Sequence, residues 1–149
     1  MGNLQLTSYI FHHGEEIPRK CGYKNGNDVP PLTASEIPEG TKTLTLIMDD
    51  PDAMGAVGKV WVHWVVWNIE PIDGSAFAGT GDAINGMTDF GEVVYGVPAP
   101  PDKRHTYVFK LYALDCELDL SNESTKADVE KAMEGYILDQ ATLTGTYAP

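Results

Sequence analysis

Val60-Trp61-Val62-His63-Trp64-Val65-Val66-Trp67-Asn68 is apolar at odd and even positions alike and rich in β-branched and aromatic residues. A half-exposed strand alternates apolar with polar side chains, so this run fits a strand covered on both faces. Its expected place is the centre of a sheet. By the two-residue period of a strand, His63 shares a face with Trp61, Val65 and Trp67 and points into apolar surroundings.

Two more strands read outward from this one. Upstream, Thr43-Leu44-Thr45-Leu46-Ile47-Met48 is β-rich and alternating, and it stops at Asp49-Asp50-Pro51-Asp52. It delivers acids to a loop. Downstream, Thr106 to Leu114 reads as a third strand, with His105, Tyr107, Phe109 and Leu111 on one face. Only one segment repeats with helical spacing: Val129, Ala132, Met133, Tyr136 and Ile137, introduced by a capping box from Thr125 to Asp128. Several strands and one late helix predict a mostly-β (α+β) fold, paired antiparallel because no helices are available for parallel crossovers.

The chain of 149 residues carries 22 Asp and Glu against 10 Lys and Arg, a net charge of −12. At this length a single domain over residues 1–149 is expected, burying roughly 70% of the surface its unfolded chain would expose. With 42% hydrophobic and 21% charged residues it is a loop-rich globular sequence, not a disordered acidic one. No basic block marks a nucleic-acid or anionic-membrane footprint, so neither partner is expected. No apolar stretch is long enough to insert in a membrane, and no basic region followed by an apolar one opens the chain. A cytoplasmic protein is the expectation.

Cys21 and Cys116 lack CxxC spacing and are read as two reduced thiols. His12, His13, His63 and His105 form no HExxH pair, so neither a metal nor a cofactor is expected. The segment from Gly22 to Pro31, including Lys24 and Asn27, is dense in turn formers and reads as an ordered loop, as does Ile37-Pro38-Glu39-Gly40.

The chemistry gathers where strands end: Asp49, Asp50 and Asp52 after the first, His63 within the second, His105 and Tyr107 opening the third. Taken singly, each has an ordinary structural explanation, such as a core histidine bonded to a carbonyl or an Asp-Pro-Asp turn. Ahead of His105 lies Val97-Pro98-Ala99-Pro100-Pro101-Asp102-Lys103-Arg104, stiffened because each proline fixes its own φ and restricts its predecessor. If this wall meets the aspartate turn and the His63 strand, imidazole, phenol and backbone donors line a small pocket suited to an oxyanion.

Three ordered motifs carry a resemblance: Leu46-Ile47-Met48-Asp49-Asp50-Pro51-Asp52-Ala53, the His63-Trp64 strand, and Pro100-Pro101 with His105-Thr106-Tyr107. Together with family-ordered segments over nearly the whole chain, they resemble the phosphatidylethanolamine-binding protein (Raf kinase inhibitor-like) family in its bacterial and archaeal branch. The resemblance implies a large antiparallel sheet packed on a smaller one with a C-terminal helix beside it, and a pocket accepting phosphate, phosphoethanolamine or carboxylate groups. Carried over by motif, the ligand-binding residues are Asp50, His63, Pro100, Pro101, His105 and Tyr107. Trp61 and Asp52 are secondary, Asp52 holding the turn. Homodimer formation also resembles what some prokaryotic members do.

This chain departs from the family pattern at three places. Met54 stands where a proline usually follows Asp-Pro-Asp-Ala, Thr106 stands where an arginine is usual, and Ala99 lies in a stretch where glycines are common. The arginine position faces away from His105 and Tyr107, so its loss affects loop support, for which Arg104 is the candidate substitute. A phosphate beside an ionised Asp50 needs compensation, so anion affinity is expected to rise as pH falls through the histidine range.

No GxSxG elbow exists, and Asp89-Phe90-Gly91, which matches a kinase tripeptide, lacks every other kinase motif and reads as coincidence. The expectation is therefore a non-enzymatic anion-binding module that inhibits a kinase or peptidase, as members of the resembled family do. The competing reading is a small hydrolase using the Asp, His and Tyr side chains for acid–base chemistry.

Overall fold

A computed structural model describes residues 2–149 except 24, 27, 75 and 78–82, so Lys24 and Asn27 of the first loop lie outside the described residues. Besides a 3₁₀ turn at Arg19–Cys21, ten strands and α-helices follow in order: β1 (Gln5–Thr7), β2 (Leu32–Ser35), β3 (Thr43–Asp50), α1 (Ala53–Val57), β4 (Trp61–Ile69), β5 (Ala76–Phe77), β6 (Ile84–Asn85), β7 (His105–Leu114), α2 (Lys126–Met133) and β8 (Ile137–Tyr147). They form a large sheet in the order β6-β4-β3-β7-β8 and a small one in the order β1-β2-β5. Every pairing between these strands is antiparallel. The mostly-β expectation, with a second sheet and a late helix, describes this architecture.

The middle strand is β3, buried at every position, while the expected central strand β4 lies one place out. The large sheet is covered on both faces, and each face has its own core. Leu44, Leu46, Met48, Trp64, Val66, Tyr107, Phe109 and Leu111 pack toward Leu4, Leu6, Leu32 and Ala34 of the small sheet. Ile47, Val65, Trp67 and Leu114 pack toward Val129 and Met133 of α2. Fully burying a side chain of this size stabilises by about 1.5–3 kcal/mol, which is why both runs read as continuously apolar.

The strand period does not run unbroken through β4. Met48 opposes Trp64 but Asp49 opposes Val62, so His63 is an extra residue, a β-bulge. The bulge corrects the sequence expectation for His63. Val65 and Trp67 turn to the helix side, whereas His63 keeps Trp61 on the small-sheet side, above Trp64 and Val66. A second irregularity between the Leu44 and Leu46 pairings restores Ile69 to that side, with Asn68 at φ 56°. The Asn68 side chain accepts from Leu118 N–H at 2.8 Å and donates to Leu118 C=O at 3.0 Å, pinning the kink.

The helix expectation holds at its start and fails at its end. Thr125 and Asp128 form the capping box, and Val129 and Met133 are buried under the sheet. Gly135, at φ 86°, then breaks the helix, so Tyr136 and Ile137 are 48% and 42% exposed and Ile137 opens β8. Gly145 is required in β8 by close packing, since a Cβ there would meet Ile17 Cγ1 at 2.6 Å and Phe11 Cε2 at 2.8 Å. Residues 14–17 run along the outer edge of β8, with Gly14 N–H bonding Thr144 C=O and Ile17 N–H bonding Thr146 C=O. No helix among the described residues is long and apolar enough to cross a membrane.

Candidate functional site

The end of β3 lies beside the starts of β4 and β7, and side chains from these strand ends line a cavity of about 160 Å³. Asp50 comes from β3, Trp61 and His63 from β4, His105 and Tyr107 from β7, and Ala99, Pro100 and Pro101 from the stiff loop. All six residues carried over by motif therefore meet in one place. Trp61 joins them. Asp52 does not line the cavity: its carboxylate accepts from Thr106 N–H at 2.7 Å while its own N–H donates to Asp50 at 3.0 Å, holding the turn to β7.

His63 reaches the cavity because of the bulge. Its Nδ1 lies 2.7 Å from the Gly96 carbonyl, which can only accept, so Nδ1 carries the hydrogen and Nε2 is where a second proton would go. Gly96 N–H donates back to His63 C=O at 2.7 Å. The approach is close enough that a Cβ on Gly96 would meet the His63 carbonyl oxygen at 2.7 Å and Phe90 at 2.5 Å. Thus Gly96 supplies the backbone approach that the glycine-poor stretch around Ala99 does not. Tyr107 and Phe90 stand edge-on to the imidazole at 5.0 and 5.1 Å. Burial among these rings pulls the His63 pKa below its usual 6.5, against the upward pull of the Gly96 bond and of Asp50.

His105 is held differently. Its Nδ1 is 2.6 Å from Asp50 and its Nε2 is 2.7 Å from Asp102, so both ring nitrogens face carboxylates. Burial opposes the charged ring, but the two carboxylates outweigh it and raise its pKa. Both donors of the imidazolium are spent on protein groups, and His105 forms cavity wall without a spare N–H. The Tyr107 phenol is pushed far up by burial first and by the Asp50 charge second, so it stays protonated and can donate. Among the described residues, no lysine or arginine lines this cavity.

Several residues here lie outside the sequence candidates. Asp102 of the stiff loop bonds the His105 ring three residues on, and that spacing is visible in the sequence. Phe90, set aside within the kinase-like tripeptide, forms cavity wall and packs edge-on to Trp61 at 5.6 Å. Its neighbour Asp89 accepts from Val62 N–H at 2.8 Å and pairs with Lys59 at 3.0 Å, a structural role. Val57 of the uncharged helix α1 lines the mouth, with Met54 exposed beside it. Arg104 bonds the Thr146 hydroxyl at 3.1 Å and faces Glu16 at 3.5 Å, tying the loop end to β8 outside the cavity. Cys21 and Cys116 are unbonded, and burial raises the Cys21 thiol to about 11.

Comparison with known proteins agrees with this fold. The UPF0098 protein of Chlamydia muridarum is 42% identical over 147 residues, covering 97% of this chain and 98% of its own length. That of Methanothermobacter thermautotrophicus is 39% identical over 151 residues, with the same coverage of 97% and 98%. Among solved structures, the phosphatidylethanolamine-binding protein homolog CT736 of Chlamydia trachomatis superposes with a TM-score of 0.91 at 38% identity, covering 99% of this chain and 98% of that one. YbcL of E. coli, described as a member of the mammalian family, superposes with a TM-score of 0.85 at 30% identity, covering 98% of each chain. The family model for phosphatidylethanolamine-binding proteins matches residues 7–148, and this chain belongs to that family.

Proposed function

We propose that the chain is a non-enzymatic binding module whose cavity takes the polar head of a small phosphate- or carboxylate-bearing ligand. One observation carries this reading: the cavity presents a neutral imidazole and a phenol between apolar walls, and among the described residues no Ser, Thr, Cys or Lys lines it. A hydrolase would need a nucleophile or an activated water there, and the lining leaves only Asp50, which is bonded to His105, and the His63 Nε2 for such a role. The cavity is also smaller than the roughly 300–1,000 Å³ of drug-sized pockets, which favours a headgroup over a bulky substrate. Inhibition of a kinase or peptidase partner extends the same reading, and its support is family likeness.

Charge sets the condition for binding. Asp50 and Asp102 outnumber the one imidazolium between them, so a fully ionised phosphate is repelled unless a proton comes with it. His63 is the site for that proton, and its lowered pKa puts uptake below pH 6.5. The expected result is saturable binding of phosphoethanolamine that tightens at pH 5.5 relative to 7.5, read as ring shifts of His63 by NMR and abolished in His63→Ala. Unmoved rings at both pH values in a folded protein would reject the reading. Hydrolysis of a phosphate or acyl ester that vanishes in His63→Ala would replace it with an enzyme.

A further inference from the structure

The same imidazole that is spent on two carboxylates joins two parts of the molecule of very different firmness. Asp50 belongs to the middle strand and is 3% exposed, whereas the Asp102 side chain sits on the proline loop and is 41% exposed. Upstream, the loop is anchored by Gly96 to His63 and by Pro98 C=O, which accepts from Tyr23 N–H at 3.0 Å. Downstream it is anchored at Arg104 by Thr146 and Glu16. Among the described residues, the Asp102 carboxylate makes the only hydrogen bond from residues 100–103 to the sheet.

We propose that Asp102 and His105 form a proton-dependent latch, holding the Pro100-Pro101 wall against the sheet while both ring nitrogens of His105 carry hydrogen and releasing it when one is lost. A neutral imidazole has one donor and one lone pair, so it can serve only one of the two carboxylates. At 2.7 Å the other contact becomes lone pair against lone pair. Burial decides which contact fails: stranding Asp50 in the interior costs far more than letting half-exposed Asp102 turn to water. The donor therefore stays at Nδ1 and Asp102 leaves.

The groups facing His105 all bear on this. They are Asp50 from β3, the Asp52 carboxylate one residue away at Thr106 N–H, Asp102 from the loop, Tyr107 on its own strand, and Tyr147, its partner across β8. The neighbouring cation Arg104 is turned to Glu16, and Lys103 is exposed. Negative neighbours at close range agree with the raised pKa and place release above pH 6.5. Release concerns the wall and not what the cavity binds, so it stands or falls separately from the ligand.

Amide hydrogen exchange of Asp102, Lys103 and Arg104, expressed as protection factors, tests the latch alongside the His105 ring shift from about pH 5.5 to about 9.5. Protection should fall about tenfold over the interval in which His105 titrates, the scale of one charge-assisted hydrogen bond. In D102A it should be low throughout, and the His105 pKa should drop. In D102N the side-chain amide can accept from Nε2–H or, turned over, donate to the bare nitrogen, so protection should persist without pH dependence. Wild-type protection that stays flat while His105 titrates overturns the latch, as does a D102A loop as protected as wild type at the acid end.

Discussion

Asp49 and Asp50 are adjacent in sequence, 2% and 3% exposed, and on opposite faces of the same strand, yet the fold neutralises them by different chemistry. Asp49 looks toward α2 and meets two ammonium groups, Lys126 Nζ at 2.8 Å and Lys110 Nζ at 3.3 Å. Asp50 looks toward the cavity and meets the His105 imidazole at 2.6 Å. Lysines remain charged well past neutrality, and the bond to Asp49 raises Lys126 further despite its partial burial. Imidazole does not share that permanence. The helix side is thus a fixed fastening, while the cavity side is fastened by a group whose charge is lost as pH rises above the usual histidine range.

Replacing His105 by Leu is the severest way to break this contrast, because it strands Asp50 without a counter-charge. The expected cost is about 3–5 kcal/mol of unfolding free energy in urea melts at pH 7. Asp49→Asn should cost less, about 1–3 kcal/mol, since Lys110 and Lys126 are 34% and 20% exposed and can turn toward water. That cost should be the same from about pH 6 to about 9, over which the lysines keep their charge.

A pH series of wild-type melts sharpens the comparison from the cavity side. His105 has a raised folded pKa, so its contribution is complete below the unfolded value of 6.5 and is lost as pH rises through the folded value. His63, with a lowered pKa, contributes above 6.5 and loses that contribution as pH falls through its folded value. Stability should therefore decline on both flanks. His105→Leu should flatten the alkaline one, whereas Asp49→Asn should leave both. An alkaline decline that persists in His105→Leu would dissolve the distinction between the faces. The smallest effect is expected from Lys110→Met, under about 1 kcal/mol, because Lys126 still holds Asp49.

What the sequence made legible follows from the range over which its signals act. Strands β3, β4 and β7 and the capping box are local patterns, and they appear where the pattern lies. The six motif residues could be brought together because family order carries information that periodicity does not. By contrast, the bulge at His63 is set by the registration of β3 against β4, which no single strand displays. A strict two-residue period consequently put His63 with the wrong neighbours. The helical stripe overran its end because Tyr136 and Ile137 happen to continue a spacing that Gly135 interrupts. Strand β8 went unread since its inward positions include Gly145, whose lack of a side chain reflects Phe11 and Ile17 arriving from far along the chain. Asp102 was missed for a similar reason: its role depends on a histidine ring turned by Asp50.

The extra residue at His63 also divides β4 into two modules with independent histories open to them. Residues 64–69 answer to the cores on either side, whereas Trp61 and His63 answer to the cavity and Val62 between them packs on the helix-side core, and the bulge frees the two cavity residues from the alternation of the strand beyond. A lineage, or an engineer, can therefore exchange Trp61 and His63 for another recognition surface while Val62 and the strand beneath retain their packing.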